Sequence, residues 1–198
     1  MTEPSTPAGG DNTAYTFRPS LLGAPWQFKL ADNGIEWVTG QRSGRVAYRD
    51  VRRLRMSFKP ANMQSQRFLT EVWAEGAPKL AIISSSWKGM FEQERLDKAY
   101  SAFVGELHRR LIRAAAPVRY EQGQNALKYW PALVVFVAIA LGFCLLIVRG
   151  LQAGSLVGAA FVAAFLAVFL WQGIVFFDRN RPGFYRAEAP PAVLLPKG

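Results

Sequence analysis

The sequence predicts an α+β fold in which a β-rich domain closed by one helix precedes a transmembrane hairpin of two helices. Short runs with a hydrophobic period of two follow one another up to about residue 85, and a helical period replaces them after it. Two long stretches nearer the C-terminus carry almost no charge. The formal net charge of +10 suits either a nucleic-acid binder or a membrane protein with a basic cytoplasmic side.

The first residues and the cysteine content exclude several classes of protein. Residues 1–14 combine Pro, Gly, Thr and acidic residues without an apolar stretch behind a basic start, so we expect a disordered leader and no signal peptide. The single cysteine, Cys144, excludes an internal disulfide and a cysteine-rich metal site. It lies in an apolar span, where we expect it to serve as a small packing residue.

The domain predicted for residues 15–118 begins with a series of short strands. WQFKL and IEWVT flank ADNG, whose Asn-Gly pair predicts a hairpin. Apolar and polar side chains then alternate, which predicts a strand with its apolar side chains inside and its polar ones outside. The apolar members are Leu54, Met56 and Phe58, and the polar members are Arg53, Arg55, Ser57 and Lys59. RFLTEVWA and KLAIISS predict two further strands.

An amphipathic helix from about Phe91 to Ala115 is predicted to close the domain. Apolar residues recur along it at steps of three or four, which is one face of a helix. They are Leu96, Tyr100, Phe103, Leu107 and Leu111. Glutamates near its start and arginines near its end match the helix dipole. We expect this face to be internal, and His108, one step beyond it, to lie on the surface.

This order of strands and helix resembles the pleckstrin-homology-like (PH-like) fold, and in particular the small bacterial versions fused to membrane hairpins. The resemblance covers the predicted domain and implies a β-sandwich or barrel with one end plugged by the C-terminal helix. Inositol-phosphate recognition does not carry over, because lipid-binding members place Lys and Arg on the first hairpin loop. Here that loop is the acidic ADNG, with only Lys29 nearby.

The stretch RSGRVAYRDVRRLRMSFK concentrates basic residues in one part of the domain. Its candidate binding face consists of Arg42, Arg45, Arg49, Arg53, Arg55 and Lys59. Three roles stay open: a solvated strand face, attraction to an anionic leaflet at about 1 kcal/mol per basic residue, and docking of an acidic protein partner. Nucleic acid is not an expected partner, because the run has neither interleaved exposed aromatic residues nor a recognition helix.

Two transmembrane helices are predicted within residues 129–177, at about 130–148 and 155–177, after a linker at 119–128. A helix needs about 20 apolar residues to cross the hydrocarbon core of a bilayer. The intervening RGLQAGS turn is short enough to require an antiparallel hairpin. Lys and Arg cluster next to the ends away from this turn, so we expect both termini in the cytoplasm and the protein in the inner membrane.

Small residues in the spans and apolar residues in the tail are further candidate contacts. Those of the spans are Gly154, Gly158, Ala138 and Gly142, which predict close helix–helix packing, within the hairpin or against another protein. The Pro-rich tail, 178–198, carries Phe184, Tyr185, Leu194 and Leu195. It is either a flexible end or an extended segment that lies along a partner or back along the domain.

The sequence contains no recognisable catalytic or metal-binding motif. It has no G-x-S-x-G, no Walker loop and no H-E-x-x-H, and the two spans contain no ionisable residue of the kind that marks an ion path. We therefore expect a protein without enzymatic activity or cofactor, which joins a larger membrane assembly through its hairpin and docks a protein partner through its domain. The alternative is a membrane-surface sensor that binds anionic lipid.

Overall fold

The computed structural model describes residues 13–60, 66–89 and 92–196. Its N-terminal part is built of β-sheets and its C-terminal part of two long apolar helices, which confirms the predicted α+β class and the order of its parts. The strands are β1 Ala14–Phe17, β2 Trp26–Ala31, β3 Gly34–Thr39, β4 Arg42–Ala47, β5 Val51–Pro60, β6 Gln66–Ala74, β7 Leu80–Ile83, β8 Ser85–Trp87, β9 Gln93–Arg95, β10 Arg119–Gln122 and β11 Gly183–Phe184. The α-helices are α1 Asp97–Arg113, α2 Ala126–Gln152 and α3 Leu156–Arg179, and short 3-10 helices occupy Tyr48–Asp50 and Ala192–Leu194.

The first sheet is an antiparallel meander in the order β1-β2-β3-β4. The predicted hairpin between β2 and β3 is present, but its turn consists of Asp32 and Asn33 alone, and Gly34 already belongs to β3. A Cβ atom on Gly34 would lie 2.1 Å from the carbonyl oxygen of Val46. Glycine is therefore required here by the close approach of β4 and not by the turn itself.

The second sheet has the order β11-β10-β5-β6-β7. Strand β10 runs parallel to β5, with Arg119 opposite Arg53 and Gln122 opposite Met56, and β11 pairs with β10 in the antiparallel sense. The residues predicted as a linker, 119–128, and the residues predicted as a tail, 178–198, thus each contribute a strand to the domain. A third, two-stranded sheet pairs β8 with β9.

Residues of both larger sheets and of α1 form one hydrophobic core. Leu54, Met56 and Phe58 are buried, as their alternation predicts, and the helical residues Tyr100, Phe103, Leu107 and Leu111 are at most 1% exposed. Ser57 is an exception, because it was predicted to face solvent and is only 4% exposed. Ser57 lies opposite Leu69 of β6, which is 5% exposed, so the outer face of the sheet is also covered at this pair.

Helix α1 starts at Asp97, six residues later than predicted. Residues 93–95 form β9 instead, and the amide of Leu96 donates to the carbonyl oxygen of Ser84 at 2.8 Å, so the chain stays extended up to that point. Glu94 consequently pairs in a strand and does not open the helix. Phe91 lies outside the described residues.

Helices α2 and α3 are long and apolar enough to cross a membrane. With 27 residues α2 is about 40 Å long, against about 30 Å for the hydrocarbon core. Their most apolar 18-residue windows are 0% and 6% buried, so neither is the core helix of a globular domain. The helices pack through aromatic rings, of which Phe136 and Phe169 lie 4.7 Å apart between centroids. Gly173 makes room for this contact, since a Cβ atom there would lie 2.1 Å from the Phe136 ring.

Candidate functional site

The C-terminal end of α3 is attached to the domain through Asn180, the residue that caps this helix. Its side chain is completely buried and uses both of its polar atoms. Oδ1 accepts from the backbone amide of Phe58 in β5 at 3.2 Å, and Nδ2 donates to the carbonyl oxygen of Phe176 at 3.1 Å. Its own carbonyl oxygen accepts from the amide of Gln124 at 2.9 Å. One residue therefore joins α3, the central strand of the second sheet and the segment that leads into α2.

Gly123 is the second element of this attachment. It follows β10 directly and has a φ of +74°, a region that L side chains rarely occupy. Its amide donates to the carbonyl oxygen of Met56 at 2.8 Å. A Cβ atom at this position would lie 2.5 Å from the carbonyl oxygen of Asn180 and 2.3 Å from that of Arg181. The two ends of the hairpin can approach each other here only because residue 123 has no side chain.

The tail beyond α3 returns along the domain, which agrees with one of the alternatives that the sequence left open. Phe184 pairs with Glu121 in the strand register but remains 66% exposed, with the Arg119 guanidinium 4.6 Å from its ring. Leu194 is 3% exposed and belongs to the domain core, against which Tyr185 and Leu195 also pack. Three of the four predicted tail contacts are therefore made with the chain itself.

His108 is buried, and the prediction that it lies on the surface is wrong. Its ring is 3% exposed, because β10 and the tail cover the face of α1 on which it lies. Nδ1 hydrogen-bonds with the carbonyl oxygen of Val104 at 2.7 Å and Nε2 with the hydroxyl of Tyr185 at 3.0 Å. The ring stacks on Tyr120 with centroids 5.6 Å apart. Burial lowers the pKa of His108, and it raises the pKa of Tyr120 to about 12.

The domain should lose stability as the pH falls below the ordinary pKa of histidine, 6.5. In that range the unfolded chain binds a proton at residue 108 and the folded chain does not, so unfolding is favoured by up to about 1.4 kcal/mol per pH unit. Replacing His108 by Gln should reduce this slope between pH 7 and pH 5, as measured by chemical unfolding of the two proteins. Equal slopes in the two proteins would contradict the assignment of a neutral buried imidazole.

The predicted basic face does not form a single free surface. Arg55 is ion-paired with Glu121 of β10, with Nε 3.0 Å from Oε2, and the Arg53 guanidinium lies 3.8 Å from the centre of the Trp73 ring. Arg42, Arg45 and Arg49 are exposed. Arg49 lies 3.9 Å from the carboxylate of Asp50, and Arg45 lies opposite Glu36 in the ladder of β3 and β4. The side chain of Lys59 lies outside the described part.

The exposed Arg49 lies at the end of β5 away from the hairpin. β5 starts two residues after it and reaches the hairpin at Phe58, so eight extended residues, roughly 25 Å of strand, separate the two. A cavity of about 650 Å³ opens there, lined by Asp32, Asn33, Ala47, Tyr48, Arg49, Arg110, Arg113 and Ala114. Arg110 is held in place, since it donates to the carbonyl oxygens of Leu30 and Ala31 at 3.0 and 2.8 Å and to Glu106 at 2.8 Å.

The small residues predicted for helix contact lie away from the internal contacts of the hairpin. Gly154 is in the turn, with a φ of +74°, and Gly158 and Ala138 are exposed. A Cβ atom on Gly142 would meet no described heavy atom within 4 Å. Close packing between α2 and α3 is found instead at Gly150, whose Cβ atom would lie 3.4 Å from that of Ala159.

Known proteins were compared with the chain at the level of sequence and of structure. No family model, no curated protein and no solved structure matches it. Within the described ranges, no three His, Cys, Asp or Glu side chains are grouped so that they could hold a metal ion. The function has to be argued from the attachment of the hairpin and from the surfaces that this attachment presents.

Proposed function

We propose that this chain is an integral membrane accessory or scaffold protein without catalytic activity. Its domain is interpreted as a PH-like sandwich closed by α1 and carried on the hairpin of α2 and α3. The observation that supports this function is the attachment through Asn180 and Gly123, together with β10 and the returning tail. A domain joined by a strand and by buried hydrogen bonds keeps one orientation, which is useful to a protein that presents a surface to a partner.

The protein is proposed to lie in the inner membrane with both termini in the cytoplasm. Basic residues flank the inner ends of the two helices, whereas the outer turn carries only Arg149. The packing of Leu194 in the domain core supports a common side for tail and domain, because a two-helix hairpin returns the chain to the side from which it came.

The surface proposed for a protein partner comprises Arg42, Arg45 and Arg49, the part of the predicted basic face that remains exposed. Exposed arginines complement an acidic partner, and charge complementarity of this kind raises association rates and selects partners. Arg53 and Arg55 contribute less, because one stacks on Trp73 and the other is neutralised by Glu121.

The alternative, a sensor of anionic lipid, has weaker support. Attraction to a charged leaflet fades within a Debye length, about 8–10 Å at physiological salt. Arg49 is separated from the hairpin by the eight residues 51–58 of β5, roughly 25 Å of strand. Arg42 lies at the other end of β4, so only the Arg49 end of the surface is placed beyond the reach of the leaflet. The exposed basic residues next to the hairpin are Lys128 and Arg181, which the ordinary charge asymmetry of membrane proteins explains equally well.

Charge reversal tests the proposed partner surface. In native membranes, changing Arg42, Arg45 and Arg49 together to Glu should remove a protein that chemically cross-links to the wild-type chain, and the domain should unfold at an unchanged temperature. Changing the exposed Lys98 to Glu is the matched control and should preserve the cross-link. An identical set of cross-linked proteins in the triple variant and the wild type would refute the surface. Cross-linking to anionic lipid that the triple variant loses would instead favour the sensor.

A further inference from the structure

The loop between β1 and β2 presents two leucines at the tip of a tight turn. Ser20 and Gly23 close the turn, and a Cβ atom on Gly23 would lie 2.9 Å from the Ser20 hydroxyl. Serine in the first position and glycine in the fourth are typical of a type I turn. The two tip positions, which are usually polar, hold Leu21 and Leu22, and these are 38% and 103% exposed.

Such exposure is unusual in this domain. Of the described residues before position 118, only four large apolar side chains are exposed, namely Leu21, Leu22, Val38 and Ile112. Two of the four are therefore neighbours at one loop tip, where nothing in the described part of the chain covers Leu22. Single exposed apolar residues are ordinary, whereas an adjacent pair projecting from a turn indicates a surface that something else covers.

Backbone contacts place this loop at the end of the domain to which the hairpin is attached. At the start of the loop, the amide of Arg18 donates to the Ser86 hydroxyl at 3.0 Å, and the amide of Trp87 donates to the carbonyl oxygen of Arg18 at 3.1 Å. Two residues before Ser86, the hydroxyl of Ser84 accepts from the amide of Phe68 at 3.0 Å.

Phe68 continues this series of contacts to the hairpin. It lies opposite Phe58 in the ladder of β5 and β6, and the amide of Phe58 donates to Asn180 at the end of α3. Each step between neighbouring strands is about 5 Å, so the loop begins within roughly 20 Å of the point where the hairpin leaves the domain.

We propose that the tip formed by Leu21 and Leu22 inserts into the surface of the bilayer that the hairpin spans. This inference rests on the proposed membrane placement and adds a third point of contact to it. One positive side chain, Arg18, lies at the base of the tip, and a second, Lys88 next to Trp87, is ion-paired with Glu94 at 3.2 Å. Apolar side chains at the boundary of headgroups and acyl chains, with cations beside them, are the usual arrangement of interfacial membrane contacts. A domain held at α2, at α3 and at this tip cannot rotate on its hairpin. The cavity lined by Arg49 and Arg110 therefore faces away from the membrane.

The insertion can be measured with an environment-sensitive fluorophore on full-length protein in nanodiscs of phosphatidylcholine, one chain per disc. Leu22→Cys and Asn33→Cys are each labelled in a Cys144→Ala background. Asn33 is the matched control, because it lies in an exposed turn beside Arg110, near the C-terminal end of α1. The loop with Leu22 lies near the other end of this helix, where Leu96 bonds to Ser84. The label at position 22 should emit at shorter wavelength, should be quenched by lipids that carry a shallow quencher, and should be several-fold less accessible to aqueous iodide than the label at position 33.

Three results would contradict insertion of the tip into the bilayer. Equal iodide accessibility at positions 22 and 33 in the nanodiscs would overturn the insertion, and so would protection of position 22 only in native membranes, which would indicate a protein partner. Leu21→Asp in the Leu22→Cys protein should expose the label again, and a label that stays protected would also count against the proposal. Labelling the native Cys144 in the otherwise unchanged chain tests the hairpin separately, because only a lipid-embedded α2 would be quenched there by deeply placed quenchers.

Discussion

Removing residues 183–198 should destabilise the domain, although these residues follow the membrane hairpin in the sequence. The truncation takes away β11, the hydrogen bond from Tyr185 to His108 and the buried side chain of Leu194. Loss of a buried leucine alone costs about 2–5 kcal/mol, so we expect the free energy of unfolding to fall by at least about 4 kcal/mol. Thermal unfolding of the truncated and intact chains, followed by near-ultraviolet circular dichroism, measures the change.

Two single substitutions test whether the stability comes from the burial of Leu194 or from the tail as a whole. Leu194→Ala should reproduce a large part of the loss, whereas Val193→Ser, at a neighbouring side chain that is 56% exposed, should change the stability by less than about 0.5 kcal/mol. Unfolding of the truncated chain at the temperature of the intact chain would contradict the placement of the tail on the domain.

Gly123→Ala should separate the hairpin from the sheet. The new methyl group would have to occupy a left-handed backbone conformation and would collide with two carbonyl oxygens, those of Asn180 and Arg181. Together these effects should lower the free energy of unfolding by at least about 3 kcal/mol, or displace the C-terminal end of α3 from Phe58. Denaturant unfolding of the detergent-solubilised protein would measure the loss of stability.

Gly76→Ala is the matched control for this substitution. Gly76 has nearly the same φ, +72°, but a Cβ atom there would meet no described atom within 4 Å. It should therefore carry only the conformational cost, about 1–2 kcal/mol. If the two variants are equally destabilised, the close contact at Gly123 does not limit the structure.

The sequence predicts those elements whose periodicity is imposed by burial on one side. The alternation around Leu54 and the spacing from Tyr100 to Leu111 both reflect a single internal face, and in both cases the apolar residues are buried. The two apolar spans are predicted for a similar reason, since their length and lack of charge are those of helices that can cross the hydrocarbon core of a bilayer.

The attachment of the hairpin could not be predicted in this way. β10 has only four residues, RYEQ, and its parallel pairing with β5 joins positions more than sixty residues apart, for which no local pattern exists. Asn180 lies in a charged DRNR run that is typical of the end of a membrane span, and only its three-dimensional surroundings show that its amide binds to β5.

His108 and the small residues illustrate the same limit. The side of α1 that carries His108 is polar in the sequence, and it becomes internal only because β10 and the distant Tyr185 cover it. Gly158 and Ala138 match a helix-packing pattern, yet aromatic rings such as Phe136 and Phe169 separate the helices in this hairpin. Which face of a transmembrane helix packs inward depends on the partner helix, and small-residue spacing alone does not define it.

A fixed orientation of the domain on its hairpin can be tested most directly by the distribution of distances between two spin labels in nanodiscs. One label is placed at Gln27→Cys on the exposed side of β2 and the other at the native Cys144 in α2, so that both are on regular elements. Double electron–electron resonance should give a single narrow distribution for the otherwise unchanged chain and a broad one when Gly123→Ala is added. A broad distribution in the chain that retains Gly123 would contradict the rigid attachment, and with it the proposal that the protein presents the surface of Arg42, Arg45 and Arg49 in one orientation.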